Sequence, residues 1–111
     1  MHAQPVRPRA RQHQILHQLI QEHGLAEGEY ALFFVTGEGQ YLPISTPGDE
    51  VEETSGYVID LLGRVFSVWL GWDAQAKAPA LTEWELVEPE THWRRSAEFR
   101  RARERVGLST A

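Results

Sequence analysis

Apolar residues recur at two spacings along the chain, and those spacings divide it into elements. Between residues 11 and 23, Ile15, Leu16, Leu19 and Ile20 form one helical face, and Gly24 stands where that helix would end. His23 lies near the middle of the face, with His13 and His17 on its flank. Residues 30–36 (YALFFVT) read as a buried strand, and Gly37-Glu38-Gly39 as a turn into a second strand over 41–44. Pro43 cannot donate to a ladder, which keeps that second strand short or at an edge. Residues 45–54 (STPGDEVEET) read as a polar, acidic surface loop.

Residues 55–73 (SGYVIDLLGRVFSVWLGWD) are the densest apolar stretch, and they predict a central hairpin over 56–72. Asp60-Leu61-Leu62-Gly63 fits a type I turn, and Gly63 suits the left-handed position of a bulged three-residue loop. Pairing Ile59 with Val65 sets Val58 opposite Phe66 and Tyr57 opposite Ser67. One side then carries Val58, Phe66, Val68 and Leu70; the other carries Tyr57, Ile59, Val65 and Trp69. Both sides are apolar, so the hairpin belongs inside a sheet at least partly covered on each face. A helix is the rival reading, because Asp60, Gly63, Arg64, Ser67 and Gly71 trace a helical polar stripe. Gly63 in mid-helix would cost about 1 kcal/mol, and the β-branched and aromatic content also favours strands.

Residues 81–87 alternate, with Thr82, Trp84 and Leu86 on one side and Glu83 and Glu85 on the other, as a half-exposed strand does. Pro89-Glu90-Thr91 introduces a final helix over 92–106, closed by Gly107. The predicted fold is α+β: a small antiparallel sheet of four to five strands, with an N-terminal and a C-terminal helix packed against it. Residues 1–9, with Pro5 and Pro8, read as a mobile tail, and residues 10–108 as one domain.

Charge changes this picture by its distribution. The net charge is −5, yet residues 22–90 hold 14 acids against Arg64 and Lys77 alone. Residues 1–21 carry three arginines and no acid, and residues 91–111 carry six arginines against Glu98 and Glu104. Such segregation points to a binding surface or to internal complementarity. The chain has no cysteine, which removes disulfides, thiolate metal sites and thiol catalysis together. No run approaches the roughly 18 apolar residues of a membrane span. Nor does an apolar segment of signal-peptide type follow Arg7, Arg9 and Arg11. A cytoplasmic protein with no membrane partner is the expectation.

Candidate chemistry is sparse. His13 and His17, four apart, supply two ligands of the three or four that a zinc site needs, so no metal or other cofactor is expected. Asp60, Asp73, Glu83 and Glu85 would form a carboxylate pocket if the last strand pairs with the hairpin, although each already has a turn or outward-facing role. Gly37-Glu38-Gly39 lacks the third glycine and following helix of a dinucleotide loop. Val35 to Ile44 (VTGEGQYLPI) with PGDEVE after it is similar to the swapped-hairpin bacterial transcription-factor fold typified by the AbrB family. That likeness ends at Glu52 and lacks the pattern's intervening helical segment.

Two surfaces remain. Tyr57 and Trp69 share a hairpin face, and an uncovered aromatic face marks a partner site. Arg94, Arg101 and Arg105 line up at offsets 0, 7 and 11 on the final helix, a spacing suited to a phosphate backbone, with Glu98 in reach of all three. The leading expectation is a non-enzymatic protein-interaction module acting through Tyr57 and Trp69, on a protein partner or on a second copy as a homodimer. Nucleic-acid binding through Arg94, Arg101 and Arg105, helped by Arg7, Arg9 and Arg11, is the alternative. An enzyme with a pocket of carboxylates and Trp is the third class.

Overall fold

Residues 8–44 and 47–108 are described by a computed structural model. Within them the chain runs α1 (Pro8–His23), β1 (Tyr30–Pro43), β2 (Glu50–Asp60), β3 (Val65–Asp73), β4 (Ala78–Val87), a 3-10 turn (Thr91–Arg95) and α2 (Ala97–Arg105). The strands form one antiparallel sheet in the order β1-β2-β3-β4. One face carries α1, and the other carries the 3-10 turn and α2. This is the α+β architecture that the periodicities predict. Of the predicted tail, residues 1–7 lie outside the described residues, and Pro8 and Arg9 already belong to α1.

The β2–β3 hairpin sits at the centre and has the predicted register, with Ile59 opposite Val65, Val58 opposite Phe66 and Tyr57 opposite Ser67. Asp60 locks its turn. The buried carboxylate accepts from Leu62 N at 3.0 Å, Arg64 N at 2.9 Å and Arg64 Nε at 2.7 Å. Gly63 takes φ +80°, a region that side chains bearing a Cβ resist. The helix alternative for this stretch is thereby set aside.

Each face has its own apolar core. On the first, Leu16 and Ile20 of α1 are fully buried against Leu42, Val51 and Leu70 and against Tyr30, Val58 and Val68. Both helices stop the same way. Leu25 N donates to Ile20 O at 3.4 Å after α1, and Leu108 N donates to Arg103 O at 2.9 Å after α2, a Schellman closure whose apolar residue packs into the neighbouring core. The second core is aromatic. Phe33 lies 5.4 Å from Trp93, 5.2 Å from Phe99 and 5.6 Å from Tyr57, ring centre to ring centre. A bulge brings Phe34 onto the same face, at φ 51° and 5.1 Å from Phe33.

Three boundaries differ from the sequence expectations. Residues 30–43 form a single strand, so Gly37-Glu38-Gly39 is no turn. The register steps from Gly37 opposite Thr54 to Tyr41 opposite Glu52, which makes the segment a bulge. Glu52 holds it, accepting from Gly39 N at 3.4 Å. The AbrB-like stretch is therefore the far half of an ordinary antiparallel pair. Second, β2 begins at Glu50, so the sheet absorbs the end of the predicted 45–54 loop. Third, the final helix is broken. Ser96 is extended at φ −82° and ψ 126°, and its hydroxyl accepts from Phe99 N at 3.4 Å as an N-cap for α2.

Two stability effects follow. Gly63→Val should cost more than about 1 kcal/mol in equilibrium urea unfolding, because the turn holds its left-handed residue. Trp93→Ala should cost about 3–5 kcal/mol, the range for emptying a buried aromatic site.

Candidate functional site

Helix length decides what the second face leaves open. With nine residues, α2 spans about 14 Å. The nine residues of β3 span about 30 Å. A helix so short covers about half a strand, and the side chains beneath change accordingly. The first cross-strand row, Ala31–Ile59–Val65–Val87, is apolar and packs with α2. In the second, Phe33–Tyr57–Ser67–Glu85, the apolar half lies under Trp93, whose ring is 4.8 Å from that of Tyr57. The third row, Thr36–Ser55–Trp69–Glu83, contributes nothing to any of the three apolar clusters.

Trp69 stands at the centre of this open half. It is half-buried and makes no ring contact among the described residues. Its indole N–H donates to Glu53 Oε1 at 2.6 Å. Beside it, Ser55 Oγ donates to Glu38 Oε1 at 2.6 Å, and Ser67 Oγ donates to Glu83 Oε2 at 2.6 Å. A Cβ at Gly71 would meet Thr82 Oγ1 at 2.8 Å and Trp69 Cδ1 at 3.3 Å, so glycine there makes room for the indole. Glu38, Glu53, Glu83 and Glu85 enter no ion pair among the described residues. The surface is an aromatic platform flanked by carboxylates, each with one oxygen or both unengaged among the described residues.

The sequence candidates distribute as follows. Tyr57 and Trp69 do share a face, but Tyr57 is capped by Trp93 and only Trp69 is left open. Trp84 stacks between Phe66 at 5.0 Å and His23 at 4.2 Å on the α1 face, and Trp72 is exposed. Asp60 and Asp73 are committed to turns at opposite ends of β3, the latter accepting from Gln75 N at 2.9 Å. They are thus apart from Glu83 and Glu85, and the four do not share a pocket. Arg94, Arg101 and Arg105 do not form one stripe. Arg94 is on the 3-10 turn and lines a cavity with Glu88 and Glu90, whereas Arg101 and Arg105 line another with His13. The break at Ser96 separates them. Among the described residues no three His, Asp or Glu side chains converge as metal ligands would. No helix of the described residues is long and apolar enough to cross a membrane. No family model, curated protein or solved structure matches the chain.

A polar contact under α1 was not legible in the sequence. His17 Nδ1 and the Tyr30 hydroxyl are 2.6 Å apart, and Gln21 Nε2 donates to the same hydroxyl at 3.3 Å. That leaves the Tyr30 O–H to donate to a neutral imidazole. Burial lowers the His17 pKa below its usual value, helped by the positive charges of His13 and Arg105 and opposed by Glu27. A histidine whose folded pKa is depressed contributes stability in full above its unfolded pKa, about 6.5, and loses it as pH falls below that value. Thermal melts from about pH 7 to about pH 5 should therefore fall more steeply for the wild type than for His17→Gln.

Proposed function

We propose that this protein is a non-catalytic interaction module whose open half-face, centred on Trp69, receives a basic segment of another protein. The observation that carries this reading is the state of Trp69: held by Glu53, outside every apolar cluster, and flanked by carboxylates that enter no ion pair among the described residues. An arginine or lysine suits such a surface twice over. Its apolar stem packs on the indole while the cation lies over the ring, an arrangement worth about 0.5–1 kcal/mol at exposed sites. Its charged head reaches the carboxylates, where charge-assisted hydrogen bonds are about twice as strong as neutral ones. The acidic stretch of residues 22–90 adds a field that draws a cationic segment in. That same field opposes a phosphate backbone, and with Arg94 parted from Arg101 and Arg105 a protein partner is favoured over nucleic acid.

Titration of a short Arg/Lys peptide, followed by amide chemical shifts, tests the reading. Shifts should centre on Ser55, Ser67, Trp69 and Glu83, and they should weaken as salt shortens the Debye length to about 8 Å or less. Glu53→Gln with Glu83→Gln should weaken the peptide by about tenfold or more while keeping both acceptors and the fold. Trp69→Ala should do the same, once circular dichroism shows native structure. Equal binding of an acidic peptide, or indifference to these changes, would overturn the proposal. Concentration-dependent dimerisation abolished by the same changes would instead assign the face to a second copy.

A further inference from the structure

The outer edge of β1 holds a second surface of opposite character. At this edge His13 of α1, from one face of the sheet, and the flank of α2, from the other, border a groove of about 330 Å³. Its floor is β1 itself, where Leu32 and Val35 are partly exposed and Phe33 is buried beneath. One wall is His13 of α1; the other is the flank of α2 that carries Glu98, Arg101 and Arg105. The spacing explains the second wall. Phe99, Ala102 and Val106 turn the helix's apolar stripe into the aromatic core, so residues 98, 101 and 105 fall together on the adjoining flank.

We infer that this groove is a binding site for a small amphipathic anion, with its oxyanion head between His13, Arg101 and Arg105 and its apolar body on Leu32 and Val35. Four observations support the assignment. First, Arg101 and Arg105 enter no ion pair among the described residues, although the chain has 16 acids to offer. Second, the carboxylate that lines the groove is anchored to the sheet rather than to the arginines: one Glu98 oxygen accepts the N–H of Phe34 at the bulge of β1. Third, the charge of Arg105 is felt past the groove wall, where it adds to burial in lowering the pKa of nearby His17 against the opposing pull of Glu27. Fourth, the volume lies at the small end of the roughly 300–1,000 Å³ typical of metabolite sites, too small for a folded partner. Arginine pairs at helical spacing suit a planar carboxylate or a phosphate through bidentate hydrogen bonds. The head group is thus an oxyanion of either kind, and the test separates the two.

The probes are n-butyl phosphate and n-butyrate, titrated into the full chain and followed by amide and arginine side-chain shifts. At least one should bind saturably with a Kd of about 1 mM or tighter, with shifts centred on residues 33–35, 101 and 105. The stronger of the two identifies the head group. Replacing Arg101 and Arg105 together by Gln should weaken it by about tenfold or more. Arg94→Gln with Arg95→Gln removes the same charge outside the groove and should change binding less than about twofold. Glu98→Gln should act in the opposite direction. It keeps an acceptor for Phe34 N–H, removes the negative charge and should tighten the probe by about threefold. Absence of saturable binding by both probes, an equal loss in the Arg94/Arg95 control, or no gain in Glu98→Gln would each overturn the assignment. Peptide binding at Trp69 should be unchanged in the Arg101/Arg105 variant, so the two sites stand or fall separately.

Discussion

The aromatic contact between Phe33 and Trp93 is the constraint on which the molecule depends. A sheet with apolar rows on both faces needs two covers, and α1, with 16 residues, is long enough to supply one of them. The other is made by a turn and a nine-residue helix. It holds because one indole reaches in among Phe33, Phe34, Tyr57 and Phe99, all with ring centres within 5.5 Å of its own. Large rings bury much area per residue, so a short segment can close a wide gap. What it cannot do is extend along the strands. The open half-face around Trp69 follows from that shortage of length.

The same sheet therefore presents two chemically opposed surfaces. Among the described residues, the carboxylates around Trp69 enter no ion pair, and neither do Arg101 and Arg105 at the β1 edge. Neutralising each other would be the simple arrangement for a chain with 16 acids and 11 Lys and Arg residues. The fold prevents much of it, because α2 directs its basic flank at the edge strand while Glu53 and Glu83 lie further along the face. Charge separation written along the sequence becomes charge separation in space.

Much of this was legible beforehand, and the reason is local. Asp60 and Gly63 specify the hairpin through contacts within five residues, so turn, register and both faces of β2 and β3 can be read directly. The Gly37-Glu38-Gly39 bulge misleads because its stabilising group, Glu52, is on another strand. The break in the last helix had a signal in Ser96, followed by Ala97 and an acidic first turn at Glu98, but the run of arginines on either side obscured it. Tyr57 and Trp69 share the expected face, yet Trp93 covers the first and leaves the second open. Period-two alternation tells which side a residue faces, not how far a cover extends along that side. The groove was hidden for a similar reason: His13 and Arg101 are distant in sequence and meet only across an edge.

The Phe34 bulge also bears on how this sheet coexists with other sheets. An edge strand offers a row of spare amide and carbonyl groups to any passing extended chain, which is the first step of uncontrolled aggregation. Along β1 that row is interrupted twice, at the Phe34 kink and again at the Gly37–Tyr41 irregularity. At the first interruption the freed N–H is already taken by Glu98 from α2. Bulges of this kind bend an edge strand and break up the ladder that an incoming strand would extend. The contact that helps seat the last helix thus also engages an N–H on the border of the sheet.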